Sequence, residues 1–156
     1  MLIKIIAVGR LKASAEGSIM HDYVQRFNKL GKNIGLGPIE HNELDDRRKG
    51  GKLCEAKLIL RATQKSKILI ALDERGQQLS SPDFASMLAA YRDHSDKGLA
   101  FVIGGADGLH LSVTDRCAKS LSFGKMVWPH ILVRVMLAEQ LYRAANILTE
   151  TPYHRD

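Results

Sequence analysis

Two short segments, residues 67–73 (KILIALD) and 98–105 (GLAFVIGG), are almost continuously apolar instead of alternating between apolar and polar positions. Strands with this pattern are buried on both faces, which is typical of a parallel sheet covered by helices on both sides. Other apolar runs alternate along the chain with segments of helical periodicity. The sequence therefore predicts an α/β fold with a mostly parallel sheet and helices on both faces.

Local patterns predict the remaining elements. Strands are expected at 2–8 and, weakly, 33–44, with a short final strand or loop at 122–128. Helices are expected at 18–30, 52–62, 80–94, 112–121 and 130–148. Ser81 is the predicted N-cap of the third helix and Pro82 belongs to its first turn, while 74–79 is a predicted turn. Because there is neither a repeat nor a linker, we expect one domain over residues 1–156.

The last predicted helix separates its residues by polarity. At about 100° per residue, one side carries apolar residues, namely Val133, Leu137, Leu141, Ala144 and Leu148. The opposite side carries polar residues, namely Glu139, Arg143, Asn146 and Glu150. Arg134 lies at the edge of the apolar side. Its charge is either paired, or offered to a ligand or a second chain, or carried to water on an extended side chain.

The charge of the chain favours a polyanionic partner such as nucleic acid, because the formal net charge is +6. The densest basic segment is 45–52 (DDRRKGGK), for which a solvated loop is an equally good interpretation. Cys54 and Cys117 lie far apart in helix-like segments, and we expect them to be ordinary thiols that fill space. The sequence has no cysteine or histidine spacing typical of a metal site. No apolar run reaches the roughly 18 residues of a membrane helix. We expect a cytoplasmic protein that uses neither membrane nor metal.

Three loops could carry chemistry. In FVIGGADGLH, Gly104 and Gly105 end a predicted strand, where ligands bind in open α/β sheets, although a plain turn would also explain them. The loop LSFGKMVWPH (121–130) leads through Pro129 into the last helix, whose positive end lies beside His130 and Arg134. The final residues, PYHRD (152–156), combine an aromatic ring with polar groups, although a solvated terminus is an alternative. The spacing of the glycines matches neither the dinucleotide-binding motif nor the P-loop.

Several of these segments together resemble the RlmH family of SPOUT-class methyltransferases. They are IALDERG, FVIGGADGL, LSFGKMVWPH, RVMLAEQLYRA and the terminal PYHR. Members of this family use S-adenosylmethionine (SAM) to methylate N3 of a pseudouridine in large-subunit ribosomal RNA. The likeness runs from IKIIAVGRLK to the last residues. Segment 35–53 shares only its polar character with the family, whereas Tyr23, Arg26 and Glu55 stand at similar positions.

The resemblance implies a SPOUT fold with a C-terminal trefoil knot, and a homodimer that acts on 23S rRNA within the ribosome. The apolar side of the last helix is then the candidate interface. SAM would be held by the strand end at Leu72, by Gly104 and Gly105, and by the loop of Gly124, Lys125, Met126, Val127, Trp128 and Pro129. In this interpretation the glycines clear room for the cofactor against the backbone.

The resemblance also implies the residues that act on the RNA. His154 would serve as a base or an orienting group, Arg155 as a clamp on a phosphate or carbonyl, and Tyr153 as a partner of the target base. His130 and Arg134 would flank the pocket where cofactor and base meet. Two other functions stay open on the residues alone: a SPOUT enzyme for a different RNA, and a ribosome-associated RNA-binding protein without activity.

Overall fold

A computed structural model of the chain describes residues 1–11, 13–45, 51–94 and 98–154. Its strands are β1 (Ile3–Val8), β2 (Ile39–Leu44), β3 (Ile68–Gln77), β4 (Leu99–Ile103) and β5 (Lys119–Leu121). Its α-helices are α1 (Ala15–Gly31), α2 (Gly51–Ala62), α3 (Ser81–His94), α4 (Leu111–Thr114) and α5 (His130–Leu148). A 3-10 turn at Lys32–Ile34 follows α1.

The five strands form one parallel sheet in the order β2-β1-β4-β3-β5. β4 lies at its centre and is buried at every position. Ile3, Ile5 and Ala7 of β1 pack in the same cluster as α1, α3 and α5. Ile6 and Val8 pack in the cluster that contains α2 and α4. The predicted α/β architecture, with helices on both faces of a parallel sheet, is confirmed.

The N-terminal end of α3 and the length of β3 differ from the predictions. The helix is capped by Ser80 and not by Ser81, because the Ser80 Oγ accepts a hydrogen bond from the Asp83 N–H at 3.2 Å. β3 continues to Gln77 through the segment expected to be a turn, and it meets β5 again there. A side chain at Gly76 would place its Cβ 2.5 Å from the Leu121 carbonyl carbon. Only glycine therefore allows these two backbones to lie so close.

The helix predicted at 112–121 is wrong in its second half. α4 ends at Thr114, so Cys117 lies outside a helix, and Lys119–Leu121 form β5. Residues Lys119–Leu121 pair with Ile70–Leu72 of β3, and this tertiary pairing, which the local sequence pattern does not report, makes them a strand. Residues 122–128 are a loop and not a strand.

The apolar side of α5 covers the core of its own chain. Leu137, Leu141 and Ala144 are fully buried, and the helix packs against α1 and α3. The prediction that this side forms a subunit interface is wrong, because α1 and α3 already occupy it. Asn146 is also buried, although it was expected on the polar side. The predicted bounds of the helix, 130–148, are confirmed.

Some predictions concern residues outside the described ranges. Residues 46–50 of the basic segment and Arg155 lie there. Within the described ranges, no helix has the length and hydropathy to cross a membrane. The same residues contain no group of three or more potential metal ligands.

Candidate active site

A cavity of about 280 Å³ opens at the carboxyl edge of the sheet, where the ends of β3, β4 and β5 meet. Parallel strands bring their carboxyl ends to one edge, which is where ligands bind in open α/β sheets. The wall consists of residues 72–75 in the second half of β3, residues 103–109 from the last residue of β4 onward, and residues 121–124 with 126–128 from the last residue of β5 onward. Lys52 from α2 and His130 and Val133 from α5 complete the lining.

The cavity brings together most of the residues expected to hold a cofactor. The lining contains Leu72, Gly104, Gly105, Gly124, Met126, Val127 and Trp128. Lys125 and Pro129 belong to the same loop but stand outside the lining. Met126 and Val127 expose 71% and 78% of their surface, so this loop presents apolar side chains at the mouth of the cavity.

The glycines of the loop after β4 are required for different structural reasons, which the neighbours of an added Cβ show. A Cβ on Gly104 would lie 2.6 Å from the Gly108 carbonyl carbon, so the loop itself excludes a side chain there. The loop closes with the Gly108 N–H donating to the Gly105 carbonyl oxygen at 3.0 Å, and Gly108 has a φ of 76°. A Cβ on Gly105 would lie 3.0 Å from the Glu55 Oε1. The fold of the loop itself therefore requires glycine at position 104, and the predicted role of these glycines in making room for a cofactor stays a prediction.

The lining fits SAM, which combines an adenosine with a methionine and a positive sulfonium. Apolar side chains such as Leu72 and Ile103 stand beside the carboxylates of Asp73 and Asp107. Gly124 has a φ of 129° and nothing within 4 Å of the position of an added Cβ. The loop therefore leaves open a place that a side chain would fill. Apolar surface, carboxylates and accessible backbone are the groups that such a cation requires.

Arg134 is fully buried behind the cavity and is held by several groups. Its Nη2 donates to the Val8 carbonyl oxygen at 2.6 Å and to the His130 Nδ1 at 3.1 Å. Its Nη1 lies 3.7 Å from the Glu43 Oε1, which also accepts a hydrogen bond from the Leu11 N–H at 2.6 Å. The charge is paired within the chain, so the interpretation that it extends to water is wrong.

Two residues of β2 take part in this cluster without having been predicted. Burial, followed by repulsion from Arg134, lowers the pKa of His41, and attraction to Glu43 partly opposes that shift. His41 and Glu43 are two positions apart on a strand and therefore point to the same face. This alternation of His41 and Glu43 is the sequence feature that indicates a shared face. It is hard to recognise because most of segment 35–53 is polar.

The C-terminal residues form a second cluster, on the later turns of α5. The Tyr153 hydroxyl donates to the Glu139 Oε1 at 3.1 Å, and its ring packs edge-on against Tyr142 at 4.7 Å between centroids. The guanidinium of Arg143 lies 5.0 Å from the centre of the Tyr153 ring. The Nδ1 of His154 lies 3.3 Å from the Arg143 Nη1. A solvated terminus is therefore the wrong interpretation of Tyr153 and His154, which are partly buried and contact α5.

Ionisation in this cluster follows from the same contacts. Burial, together with hydrogen bonds involving Tyr23 and Glu139, raises the pKa of Tyr153 well above its usual range. Arg143 donates to the Glu139 Oε1 at 2.6 Å, and this hydrogen bond raises the pKa of Arg143. The phenol thus stays neutral and the guanidinium stays charged at physiological pH.

Within one chain, the predicted catalytic residues fall into two separate groups. His130 lines the cavity and is contacted from behind by the buried Arg134, whereas Tyr153 and His154 contact Glu139 and Arg143. Along α5, Glu139 and Arg143 lie roughly 14 and 20 Å beyond His130 at about 1.5 Å per residue. A second groove of about 570 Å³ borders Tyr23 and Glu139 and shares residues 121–124 with the cavity.

Known proteins similar to this chain carry related names. A family described as "Predicted SPOUT methyltransferase" matches residues 1–154. The "Ribosomal RNA large subunit methyltransferase H" of Dinoroseobacter shibae is 52% identical over 155 residues, which cover 99% of each chain. The protein of that name from Roseobacter denitrificans is 53% identical over 156 residues and covers 100% of each chain.

A solved structure supports the same fold. A probable methylase family protein from Haemophilus influenzae superposes with a TM-score of 0.56 over 99% of this chain and 70% of that chain. Its sequence identity is 10%, so this likeness concerns the fold alone. The family match over nearly the whole chain and the identity with full-length relatives lead to one conclusion: the chain belongs to the SPOUT methyltransferase family.

Proposed function

We propose that this chain is an rRNA methyltransferase that transfers a methyl group from SAM to N3 of a pseudouridine in 23S rRNA. The observation that carries the proposal is the identity of 52% with a ribosomal RNA large subunit methyltransferase H over 99% of both chains. The choice of pseudouridine N3 follows from the resemblance to the RlmH family. The ribosomal substrate also implies that the enzyme works in the cytoplasm.

The cavity at the carboxyl edge of the sheet is the proposed SAM site. Residues Leu72, Gly104, Gly105 and 124–129 would hold the cofactor, with Lys125 and Pro129 shaping the loop from outside the lining. When bound, SAM supplies a methyl group that is already activated on a sulfonium. The exposed loop of Met126, Val127 and Trp128 would cover the cofactor and exclude water.

The remaining task of the protein is to present N3 of the base. That N–H lies between two carbonyls and is weakly acidic, so cations and hydrogen-bond donors near the carbonyls stabilise the anion that forms. Tyr153 would contact the base, Arg155 would clamp a phosphate or carbonyl, and His154 would orient the base. His130 and Arg134 would border the meeting point of cofactor and base.

We further propose that the complete site requires two subunits. In one chain the Tyr153 and His154 cluster lies far along α5 from the cavity, as described above. A homodimer in which the C-terminal residues of one subunit face the cavity of the other would join the two groups. The second groove, beside Tyr23 and Glu139, lies between them and offers a place for the partner subunit.

The direct test is to map methylation with purified protein and isotopically labelled SAM. Large subunits or ribosomes from a strain lacking the endogenous enzyme are the substrate, and mass spectrometry locates the label. We expect one methyl group, on N3 of a pseudouridine in 23S rRNA, and faster transfer to assembled particles than to naked rRNA. Label on another nucleoside, or SAM binding without transfer to any ribosomal particle, would contradict the proposal.

A further inference from the structure

We propose that two arginines of α5 fix the tautomers of the two histidines in the candidate site. Arg134 holds His130, and Arg143 holds His154, each with the ring proton on Nε2. Each ring then offers an Nε2–H as a donor, and neither is the base that removes the N3 proton. Only this catalytic consequence rests on the proposed function; the tautomers themselves follow from the contacts.

The first contact joins Arg134 and His130. The Arg134 Nη2 lies 3.1 Å from the His130 Nδ1. A guanidinium has only donors and keeps its charge in proteins, so the histidine nitrogen must be the acceptor and cannot carry a proton. A neutral imidazole with a bare Nδ1 has its proton on Nε2. Protonating this ring would break the hydrogen bond and place a second positive charge beside the guanidinium.

The second contact repeats the arrangement farther along the helix. The Arg143 Nη1 lies 3.3 Å from the His154 Nδ1, and the same reasoning places the ring proton on Nε2. The two pairs differ in their sequence separation, because His130 is on α5 itself whereas His154 belongs to the C-terminal segment. In both pairs the donor is an arginine of α5.

Each arginine is itself fixed, so it can hold a histidine in one state. Arg134 is fully buried and is bound by the Val8 carbonyl and the Glu43 carboxylate. The Arg143 Nη2 donates a hydrogen bond to the Glu139 Oε1 at 2.6 Å. A hydrogen bond to one ring nitrogen of a histidine commonly decides which of the two nitrogens is protonated. Arg134 and Arg143 are therefore positioning residues that act through the histidines.

The consequence concerns the chemistry at N3. His130 lines the cavity, and a ring whose Nδ1 lone pair is engaged by a cation is a poor proton acceptor. Its Nε2–H is instead suited to the carbonyl oxygens beside N3, where negative charge develops. The proton that N3 loses then passes to a group other than these histidines, such as solvent water.

Nitrogen NMR of protein labelled in histidine tests the tautomers without any substrate. At neutral pH, both rings should show an unprotonated Nδ1 and a protonated Nε2, with each signal assigned by the His130→Gln and His154→Gln variants. His94 is the internal control, because its Nδ1 lies 2.7 Å from the Ala90 carbonyl oxygen and must donate in that contact. A protonated Nδ1 on His130 or His154 at neutral pH would overturn the proposal for that residue.

Two Arg134 variants identify the cause of the tautomer. Arg134→Lys keeps a charged donor and should preserve the Nε2–H form of His130. Arg134→Met removes the donor and should give a mixture of tautomers. If Arg134→Met does not fold, the wild-type spectrum and the lysine variant still decide the question. An unchanged spectrum in a folded Arg134→Met protein would show that the arginine does not set the tautomer.

Activity tests the catalytic consequence. Glutamine offers an N–H donor but no imidazole base, so His130→Gln should keep more methyl transfer than His130→Met, by about 10-fold or more. Equal losses in both variants would overturn the donor role of His130. If no rRNA is methylated at all, the proposed function fails while the NMR result on the tautomers stands by itself.

Discussion

At the scale of single residues, Arg134 and Gly104 fix two parts of the structure around the cavity, namely the start of α5 and the loop after β4. Arg134 ties the end of β1 to the first turn of α5 through the Val8 carbonyl and also fixes the His130 ring. Gly104 lets the loop after β4 fold back on itself, because its Cα faces the backbone of Gly108 and Leu109. A change at either residue should act on the cavity through the backbone.

We expect Gly104→Ala to lower the free energy of unfolding by about 1–3 kcal/mol, the usual cost of forcing an extra methyl into a packed region. The reason is the distance of 2.6 Å between the added Cβ and the Gly108 carbonyl carbon. Urea denaturation measures the change. Gly98→Ala is the matched control, because its Cβ would lie 3.5 Å from the Leu2 carbonyl oxygen, an ordinary contact. Equal destabilisation by the two substitutions would contradict this explanation.

At the scale of elements, sequence periodicity predicted α5 well and β5 poorly. The apolar residues of α5 recur over five turns, so its bounds of His130 and Leu148 follow from the chain alone. β5 has three residues, and only its pairing with β3 makes it a strand. No local pattern of that length can report a pairing with residues about 50 positions away.

The packing of the C-terminal segment against α5 depends on Asn146. Its Nδ2 donates to the Tyr142 carbonyl oxygen at 2.7 Å, and its Oδ1 accepts a hydrogen bond from the Thr151 hydroxyl at 2.5 Å. The amide side chain thereby sets where residues 151–154 leave the helix. Because Asn146 is polar but buried, a prediction based on polarity assigns it to the wrong side of α5.

Asn146→Ala should therefore reduce methyl transfer by about 10- to 100-fold, because small displacements of positioning groups are costly to catalysis. The affinity for SAM should change much less, since the cavity is lined by other elements. Initial rates with ribosomal particles and calorimetric titration with SAM separate the two effects. The exposed Asn42→Ala serves as the control. A parallel loss of SAM binding would indicate general unfolding and would contradict a specific role of Asn146.

At the scale of the whole molecule, the cavity was predictable and the division of the site was not. The apolar runs predict parallel strands, and the glycines after them predict loops at the carboxyl edge of the sheet, where ligands bind. The distance between His130 and the Tyr153 cluster depends on how the C-terminal segment turns back along α5, which tertiary contacts decide. The trefoil knot and the homodimer stay predictions that come from the resemblance.

Mixed dimers test whether the site is shared. A protein lacking residues 153–156 and a His130→Met protein should each have strongly reduced activity alone. Random association of equal amounts yields about one half mixed dimers, each with one intact site of two, so about a quarter of wild-type activity should return. Co-expression with different affinity tags isolates the mixed dimer for rate measurements. Absence of any restored activity in the isolated mixed dimer would contradict a site composed of two subunits.

The hydrogen bond between Arg134 and the Val8 carbonyl has a consequence for biosynthesis. It joins the first strand to a helix whose arginine lies 126 positions further along the chain. Until α5 has left the ribosomal exit tunnel, the end of β1 lacks its guanidinium partner and the cavity lacks the wall that His130 and Val133 provide. Nascent chains truncated before α5 should accordingly fail to retain the cofactor.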